Sequence, residues 1–299
     1  MNSKRWSKNL QLHIMLIPAT LFAILFSYVP ITGIVIAFQR FIPNRGFFKS
    51  TWVGLDNFIY MLNMPDIYQV LYNTVFIALM KIIAGLIVPI VVALLLNEMK
   101  KKVLVRSVQT MIYLPHFLSW VILGGILIDI LSVENGIINK VMQGVGLPSV
   151  FFLGDNSWFP FTLVITDVWK EFGFATIIYM AALTSIDPTI YEAAIIDGAN
   201  RWKQTFHVTL PGITPIIILL GVLSMGNVLN AGFEQVFMLY SPSVYESGDI
   251  IDTLLYRVGF VDAQFGVATA VGLFKSVIAA LLIGTSYWLA YRLAGYRIF

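Results

Sequence analysis

Long apolar runs alternate with short polar connections along the whole chain. Each run approaches or exceeds the roughly 20 residues that a helix needs to cross about 30 Å of hydrocarbon. They lie near residues 12–38, 72–96, 109–131, 159–183, 213–239 and 265–291. In lipid the backbone must satisfy its own hydrogen bonds, so each run is expected to be a helix. The pattern predicts an all-α, polytopic membrane protein with six transmembrane helices and a single membrane domain over 1–299. The first run follows Lys4, Arg5 and Lys8, as a signal peptide would. Its apolar stretch is longer than the roughly 7–15 residues of a signal core, and no small-x-small cleavage site closes it, so it reads as an uncleaved span.

Basic residues set the orientation. With the N-terminus inside, the inner connections hold Lys4, Arg5, Lys8, Lys100, Lys101, Lys102, Arg106, Arg201, Lys203, Arg292 and Arg297. The outer ones hold Arg40, Arg45, Lys49, Lys140 and Arg257. Eleven against five places both termini in the cytoplasm, and with them the connection at 186–212. Composition agrees. The chain is 58% hydrophobic and 12% charged with mean hydropathy +0.82, against about 25% charged residues in soluble domains. A net charge of +3 is too small and dispersed for nucleic acid. With no cysteine there is no disulfide, thiolate metal site or thiol nucleophile, and His13, His116 and His207 stand too far apart in sequence to suggest a metal centre.

The connection at 186–212 carries the most specific pattern. Asp187-Pro188 is a helix-start signal, Asp as cap and Pro in the first turn. A short helix through Tyr191-Glu192-Ala193-Ala194-Ile195 should follow, with Asp197-Gly198 giving a sharp turn. A second helix is expected from Trp202 to His207, ended by Pro211 and Pro215, where the next span restarts. Two short helices across a turn form a stiff knob, with Glu192 and Arg201 as its polar contacts and Ala193, Ala194, Ile195 and Phe206 as its packing face. An amphipathic hairpin lying on lipid headgroups is the plainer alternative.

Glu192-Ala193-Ala194, Gly198 and then Val208-Thr209-Leu210-Pro211 resemble the coupling loop of ABC importer permeases, at the family's usual distance of about 100 residues from the C-terminus. Val208 stands where Ile is usual. Tyr191 with Asp197-Gly198-Ala199, and Gly54-Leu55-Asp56-Asn57-Phe58 leading to Asn73-Thr74, are similar to the carbohydrate-uptake branch. Trp169-Lys170-Glu171-Phe172-Gly173-Phe174 and Gly272-Leu273-Phe274-Lys275-Ser276 look closest to permeases for complex oligosaccharides. The resemblance implies a type I ABC importer permease in a bacterial cell membrane. It also implies two ATP-binding subunits inside, a second related permease beside this chain and an extracytoplasmic solute-binding protein. ATP and Mg would sit on the partners, since the chain has no Gly-x-x-x-x-Gly-Lys-Ser/Thr phosphate loop. Glu192, Ala193, Ala194, Asp197, Gly198, Arg201, Leu210 and Pro211 would then couple the chain to the ATPase.

Charges inside spans cost at least about 2.5–3.5 kcal/mol near the bilayer centre and mark interior pathways. The fourth run carries Asp167, Trp169, Lys170 and Glu171; Asp167 and Lys170 can pair along the helix. Aromatic faces stack on sugar C–H surfaces and carboxylates bind hydroxyls, so Trp169 with Glu171 suits carbohydrate. Asn227, Asn230 and Glu234 at i, i+3 and i+7 fall on one helix face if the fifth run is a single helix. That stripe lines a cavity or merely glues helices together. Lys275 either lines the pathway or neutralises Glu234 or Glu171, and the sequence leaves that open. Ala268, Gly272, Ser276, Ala280 and Gly284 recur every four residues, a face for close helix packing. The outer connections, including 132–158 and 240–262, are candidate receptor-docking surfaces or ordinary solvated loops. A permease for oligosaccharide, itself not an enzyme, is the expectation. An importer of peptide or another solute, a secondary transporter, and a membrane enzyme on lipid-linked sugars are the rivals, the last lacking any clustered acid/base or metal motif.

Overall fold

The computed structural model describes residues 10–294; Lys4, Arg5, Lys8 and Arg297 of the charge count lie outside them. Among the described residues, four helices are long and apolar enough to cross a membrane: His13–Phe38, Ile67–Glu98, Arg201–Met225 and Phe265–Trp288. The number reaches six if two sharply bent pairs each make one span, Lys102–Phe117 with Trp120–Leu131 (105°) and Phe159–Thr184 with Pro188–Ile196 (69°). Large apolar side chains such as Phe22, Ile83, Ile87, Leu95 and Leu281 stand exposed, as they do where lipid is the solvent. The chain sorts into two compact units: described residues up to Ile67 with Leu255–Ser276, and Tyr68–Leu254 with the residues from Val277.

In the first unit, α1 (Leu10–Ala23) runs on through a π-helical turn, Ile24–Tyr28, and a tighter 3-10 stretch, Val29–Phe38. Pro30 falls in the first positions of that stretch, where its missing N–H costs least. Beyond it a two-residue antiparallel pair forms, β1 (Gln39–Arg40) with β2 (Thr51–Trp52), a small departure from the expected all-α chain. Helix α2 (Asp56–Leu62) follows. Asn57 is structural: its Nδ2 donates to the carbonyls of Ala37 (2.8 Å) and Gln39 (3.0 Å).

The second unit is built on α3 (Ile67–Glu98), α4 (Lys102–Tyr113), α5 (Trp120–Leu131), α6 (Ile137–Gly144), α7 (Phe159–Thr184), α8 (Pro188–Ile196), α9 (Arg201–Gln204), α10 (Leu210–Met225), α11 (Phe233–Leu239) and α12 (Ile251–Tyr256); α13 (Phe265–Ala294) closes the chain. A dry cluster of Ala93, Tyr179, Leu183 and Ile213 joins α3, α7 and α10. At the other end of α3, Asn73 Nδ2 donates to the carbonyls of Glu246 and Asp249, and Thr74 Oγ1 accepts from Ile251 N (2.9 Å). The Asn73-Thr74 pair therefore secures a loop.

Two runs expected to be single helices are broken. The third, 109–131, bends between α4 and α5, where Pro115 enters a 3-10 turn and Ser119 caps α5 by accepting from Ile122 N. The fifth, 213–239, stops at Met225. Gly226, Asn227, Asn230 and Gly232 follow, two residues of high backbone freedom and two whose amides compete for backbone hydrogen bonds. Conversely, Pro211 does not end the second helix of the segment at 186–212. α9 passes through a π turn, Thr205–Thr209, into α10, and the donor that Pro211 lacks falls beside that turn, where the hydrogen-bond ladder is already out of register.

Close approach of α7 to α4 depends on Gly173, where a Cβ would stand 1.9 Å from the Ile112 carbonyl oxygen. Backbone cannot yield as a side chain can. Gly173→Ala should therefore cost at least about 1–3 kcal/mol, the usual range for overpacking. The check is a lower thermal midpoint of the purified protein, with Gly125→Ala, where an added Cβ meets nothing within 4 Å, as the control.

Candidate functional site

The buried ammonium of Lys81, midway along α3, organises the polar interior of the second unit. Its Nζ donates to the Ala231 carbonyl (2.7 Å), to Asp167 Oδ1 (3.3 Å) and, closely, to Gln235 Oε1. Gln235 is fully buried and passes the network on, its Nε2 donating to the Leu163 carbonyl (2.8 Å) and Thr166 Oγ1 (2.7 Å). Lys81 thus ties α3 to α7, to α11 and to the turn that interrupts the fifth run. Gly232, in that turn, has φ +92°, and a Cβ there would lie 2.8 Å from Lys81 Nζ. Only glycine meets both demands.

A second cluster sits at the bend between α4 and α5. His116 Nδ1 is 2.7 Å from Glu171 Oε2, and Lys170 Nζ donates to Glu171 Oε1 (2.7 Å) and to the His116 carbonyl (3.1 Å). The His116 ring stacks on Phe174, centroids 4.2 Å apart and 6° from parallel. Between the two clusters opens a cavity of about 480 Å³, to which Lys81, Asp167, Glu171, Ser224, Asn227 and Asn230 contribute.

The sequence-derived pathway residues are thereby separated. Glu171, Asn227 and Asn230 line this cavity. The helical stripe does not exist: Asn227 and Asn230 lie in the turn after α10, their side chains 3.3 Å apart, and Glu234 opens a separate helix, exposed and outside the lining. Trp169 is 44% exposed and also outside it. Asp167 pairs with Lys81 across helices and not with Lys170 along one, because buried charges take the nearest partner their packing offers. Lys275, partly buried, belongs to the other unit. Sequence reading singled out neither His116 nor Gln235 as a site residue; the polar Gln235 inside an apolar run was the available signal.

The segment at 186–212 forms much as its sequence directs. Asp187 caps α8, its carboxylate accepting from Thr189 N (2.9 Å), and that bond holds the carboxyl below the ordinary aspartate pKa. Gly198 turns the chain at φ +75°, with Ala199 N donating to the Ala194 carbonyl and Asn200 capping α9. Tyr191 hydroxyl meets Thr209 Oγ1 at 3.0 Å, bracing α8 against the π turn, and Gln204 Nε2 donates to the Ala199 carbonyl. Arg201 reaches Glu98 at 3.6 Å, an exposed pair of small energetic weight. Glu192, Ala193, Asp197 and Pro211 are exposed and Ala194 is half-buried, whereas Leu210 packs inward on the Ile213 cluster. Ile195, Ile196, Trp202 and Phe206 present apolar surface, Ile196 at 86% exposure.

A braced helix–turn–helix segment joined to long apolar helices with a polar cavity beside them is an arrangement suited to a membrane transport component. The chain belongs to the family of binding-protein-dependent transport system inner membrane components, which it matches over residues 85–295. It is 42% identical over 277 residues to Protein LplB of Bacillus subtilis (strain 168), covering 92% of this chain and 87% of that one. It is 41% identical over 283 residues to the polygalacturonan/rhamnogalacturonan transport system permease protein YteP of the same organism, covering 95% and 87%. Among solved structures, a chain of a bacterial ABC transporter that imports the acidic polysaccharide alginate matches with TM-score 0.89 and 35% identity over 97% of this chain and 98% of that one. A chain of a bacterial alginate ABC transporter in complex with an alginate pentasaccharide-bound periplasmic protein matches with TM-score 0.89 and 35% identity over 97% of each chain.

Lys81→Met should leave Asp167, Gln235 and the Ala231 carbonyl without their donor. A loss of about 3–5 kcal/mol is expected, the range for removing one member of a buried pair, read as a lower denaturation midpoint. Cavity lining is open to a separate check in this cysteine-free chain. Asn227→Cys and Asn230→Cys should react with a water-soluble thiol reagent, while Val236→Cys, at a fully buried position, should stay silent. Equal silence at all three would remove the cavity from the pathway.

Proposed function

We propose that this chain is the permease subunit of an ATP-driven ABC importer for carbohydrate, with complex oligosaccharides or polysaccharide fragments as cargo. In this reading one membrane domain of six spans, both ends cytoplasmic, pairs with a second related permease and two ATP-binding subunits, and receives cargo from an extracytoplasmic binding protein. The observation that carries it is the braced segment at 186–212, which exposes Ile195, Ile196, Trp202 and Phe206 beside Glu192. A surface of this kind on a rigid support fits a protein cleft better than water. Relatives and structural neighbours named for polygalacturonan, rhamnogalacturonan and alginate supply the cargo class.

The geometry offers a route for work. α7 carries Asp167 and Glu171 and leads directly into the knob; from Asp167 to Thr184 it spans roughly 25 Å at 1.5 Å per residue. On leaving the knob, the helix Arg201–Met225 ends two residues before Asn227. Both helices that flank the knob thus terminate at, or pass, the cavity. Displacement of the knob by a closing ATPase dimer would be delivered to both cavity walls. The Lys81 network would keep those walls in register, since it bonds to α7 and to the Asn-bearing turn together.

The test is uptake of oligosaccharide by the reconstituted complex. Import should follow internal ATP and survive collapse of ion gradients; the reverse would identify a secondary transporter, and import of peptide alone would replace the cargo class. Gly198→Val forces a β-branched residue to positive φ, a strain of roughly 1–2 kcal/mol. It should uncouple receptor-stimulated ATP hydrolysis from uptake or release the ATPase, with binding-protein attachment intact. Normal coupling in Gly198→Val would remove the knob from the mechanism.

A further inference from the structure

A second concave site, unused by the pathway above, lies wholly within the unit formed by described residues up to Ile67 with Leu255–Ser276. It encloses about 400 Å³, within the roughly 300–1,000 Å³ of small-molecule sites. Its floor is fixed by hydrogen bonds: Asn57 holds the carbonyls of Ala37 and Gln39, and Gln39 Nε2 donates to the Phe47 carbonyl (2.9 Å). Gly266 permits this closeness, since a Cβ there would stand 2.4 Å from the Gln39 carbonyl oxygen. Gln39 is 6% exposed and its Oε1 is without a hydrogen-bond partner.

Around this floor stand Arg40, Asp56, Tyr60 and Gln264. Arg40, Asp56 and Gln264 are exposed and the Tyr60 ring is 52% exposed. Among the described residues none of these four side chains is engaged in a hydrogen bond, ion pair or ring contact. Gln264 is nevertheless held in place, its N–H donating to the Val258 carbonyl (2.9 Å) and its carbonyl accepting from Ala268 N (3.0 Å). The preceding Ala263 sits at φ +53°, a left-handed conformation unfavourable for alanine that persists where surroundings enforce it, commonly beside ligand sites.

We propose that this pocket is a sugar-binding subsite that takes one residue of the oligosaccharide. The inference rests on the carbohydrate-import reading. A guanidinium and a primary amide donate to hydroxyls, a carboxylate accepts from them, and an open phenol ring stacks on a C–H face. Donors and acceptors of both charges around one exposed ring suit vicinal hydroxyls. A protein loop would be expected to seat a buried aromatic or Arg anchor instead. On the charge asymmetry of the sequence, the connection after Phe38 faces outward, where cargo arrives.

The experiment uses the complex with its partner subunits in lipid nanodiscs, without the binding protein, in an Asn227→Ala/Asn230→Ala background that weakens the inner cavity. Alginate pentasaccharide and a galacturonate oligosaccharide are the probes, followed by saturation-transfer NMR. Binding should persist in this background, fall roughly 3- to 10-fold with Tyr60→Ala, fall further with Arg40→Gln and Asp56→Asn, and recover with Tyr60→Trp. These side chains are exposed, so recovery of the complex should match the parent. Unchanged affinity in the outer variants would overturn the proposal, as would loss of binding-protein association with free-sugar binding intact, which would mark a protein-docking site. Those results leave ATP-driven sugar uptake by the wild type standing. Absence of any oligosaccharide uptake by the wild type would instead overturn the import reading, and this inference with it.

Discussion

A single ammonium in an apolar helix dictates much of the second unit. Lys81 cannot stay charged in a low-dielectric interior without partners, and its partners come from three other places in the chain. Asp167 supplies opposite charge, Gln235 a side-chain carbonyl, and Ala231 a backbone carbonyl that an unbroken helix would keep for itself. Break and lysine are complementary: interrupting the fifth run frees a carbonyl, and Lys81 answers it. Gly232 lets the turn approach closely enough for that contact. The cavity is the space left beside this knot, with Asn227 and Asn230 held at its edge because the turn bearing them cannot drift.

The knob solves a different problem, remaining stiff while presenting apolar surface. Side-chain to backbone bonds do the stiffening at both helix starts, through Asp187 and Asn200. The Tyr191–Thr209 contact and the Gln204–Ala199 bond cross the turn and convert two short helices into one body. Leu210, facing inward, roots that body in the cluster around Ile213 and Tyr179. Trp202 and Ile196 therefore stand on a braced surface joined to the helices Phe159–Thr184 and Arg201–Met225.

Much of this was legible in the chain. The extents of the first, second, fourth and sixth runs, the Asp187 cap, the helix over Tyr191 to Ile195 and the Gly198 turn follow from hydropathy and local backbone preference, which act over a few residues. The broken third and fifth runs were legible in part. Pro115 with Ser119, and Gly226 to Gly232 with two asparagines, are breaker signals outweighed in a reading by length and hydropathy alone. The polar pairs were not legible. Asp167 and Lys170 have ideal helical spacing, yet each prefers another partner, Lys81 for one and Glu171 for the other.

What the sequence by itself determined is therefore the membrane class, the turn at Gly198 and the presence of costly polar groups inside apolar runs, because each is a property of short stretches. Tertiary structure alone decided which of those groups meet. Lys81 and Gln235 are 154 positions apart, and Asn73 and Asp249 are 176 apart. It also decided that Trp169 and Glu234 stand outside the cavity lining while His116 bonds to Glu171, which belongs to it. Partner choice for a buried charge depends on which helices lie side by side, and a periodicity within one helix carries no record of its neighbours.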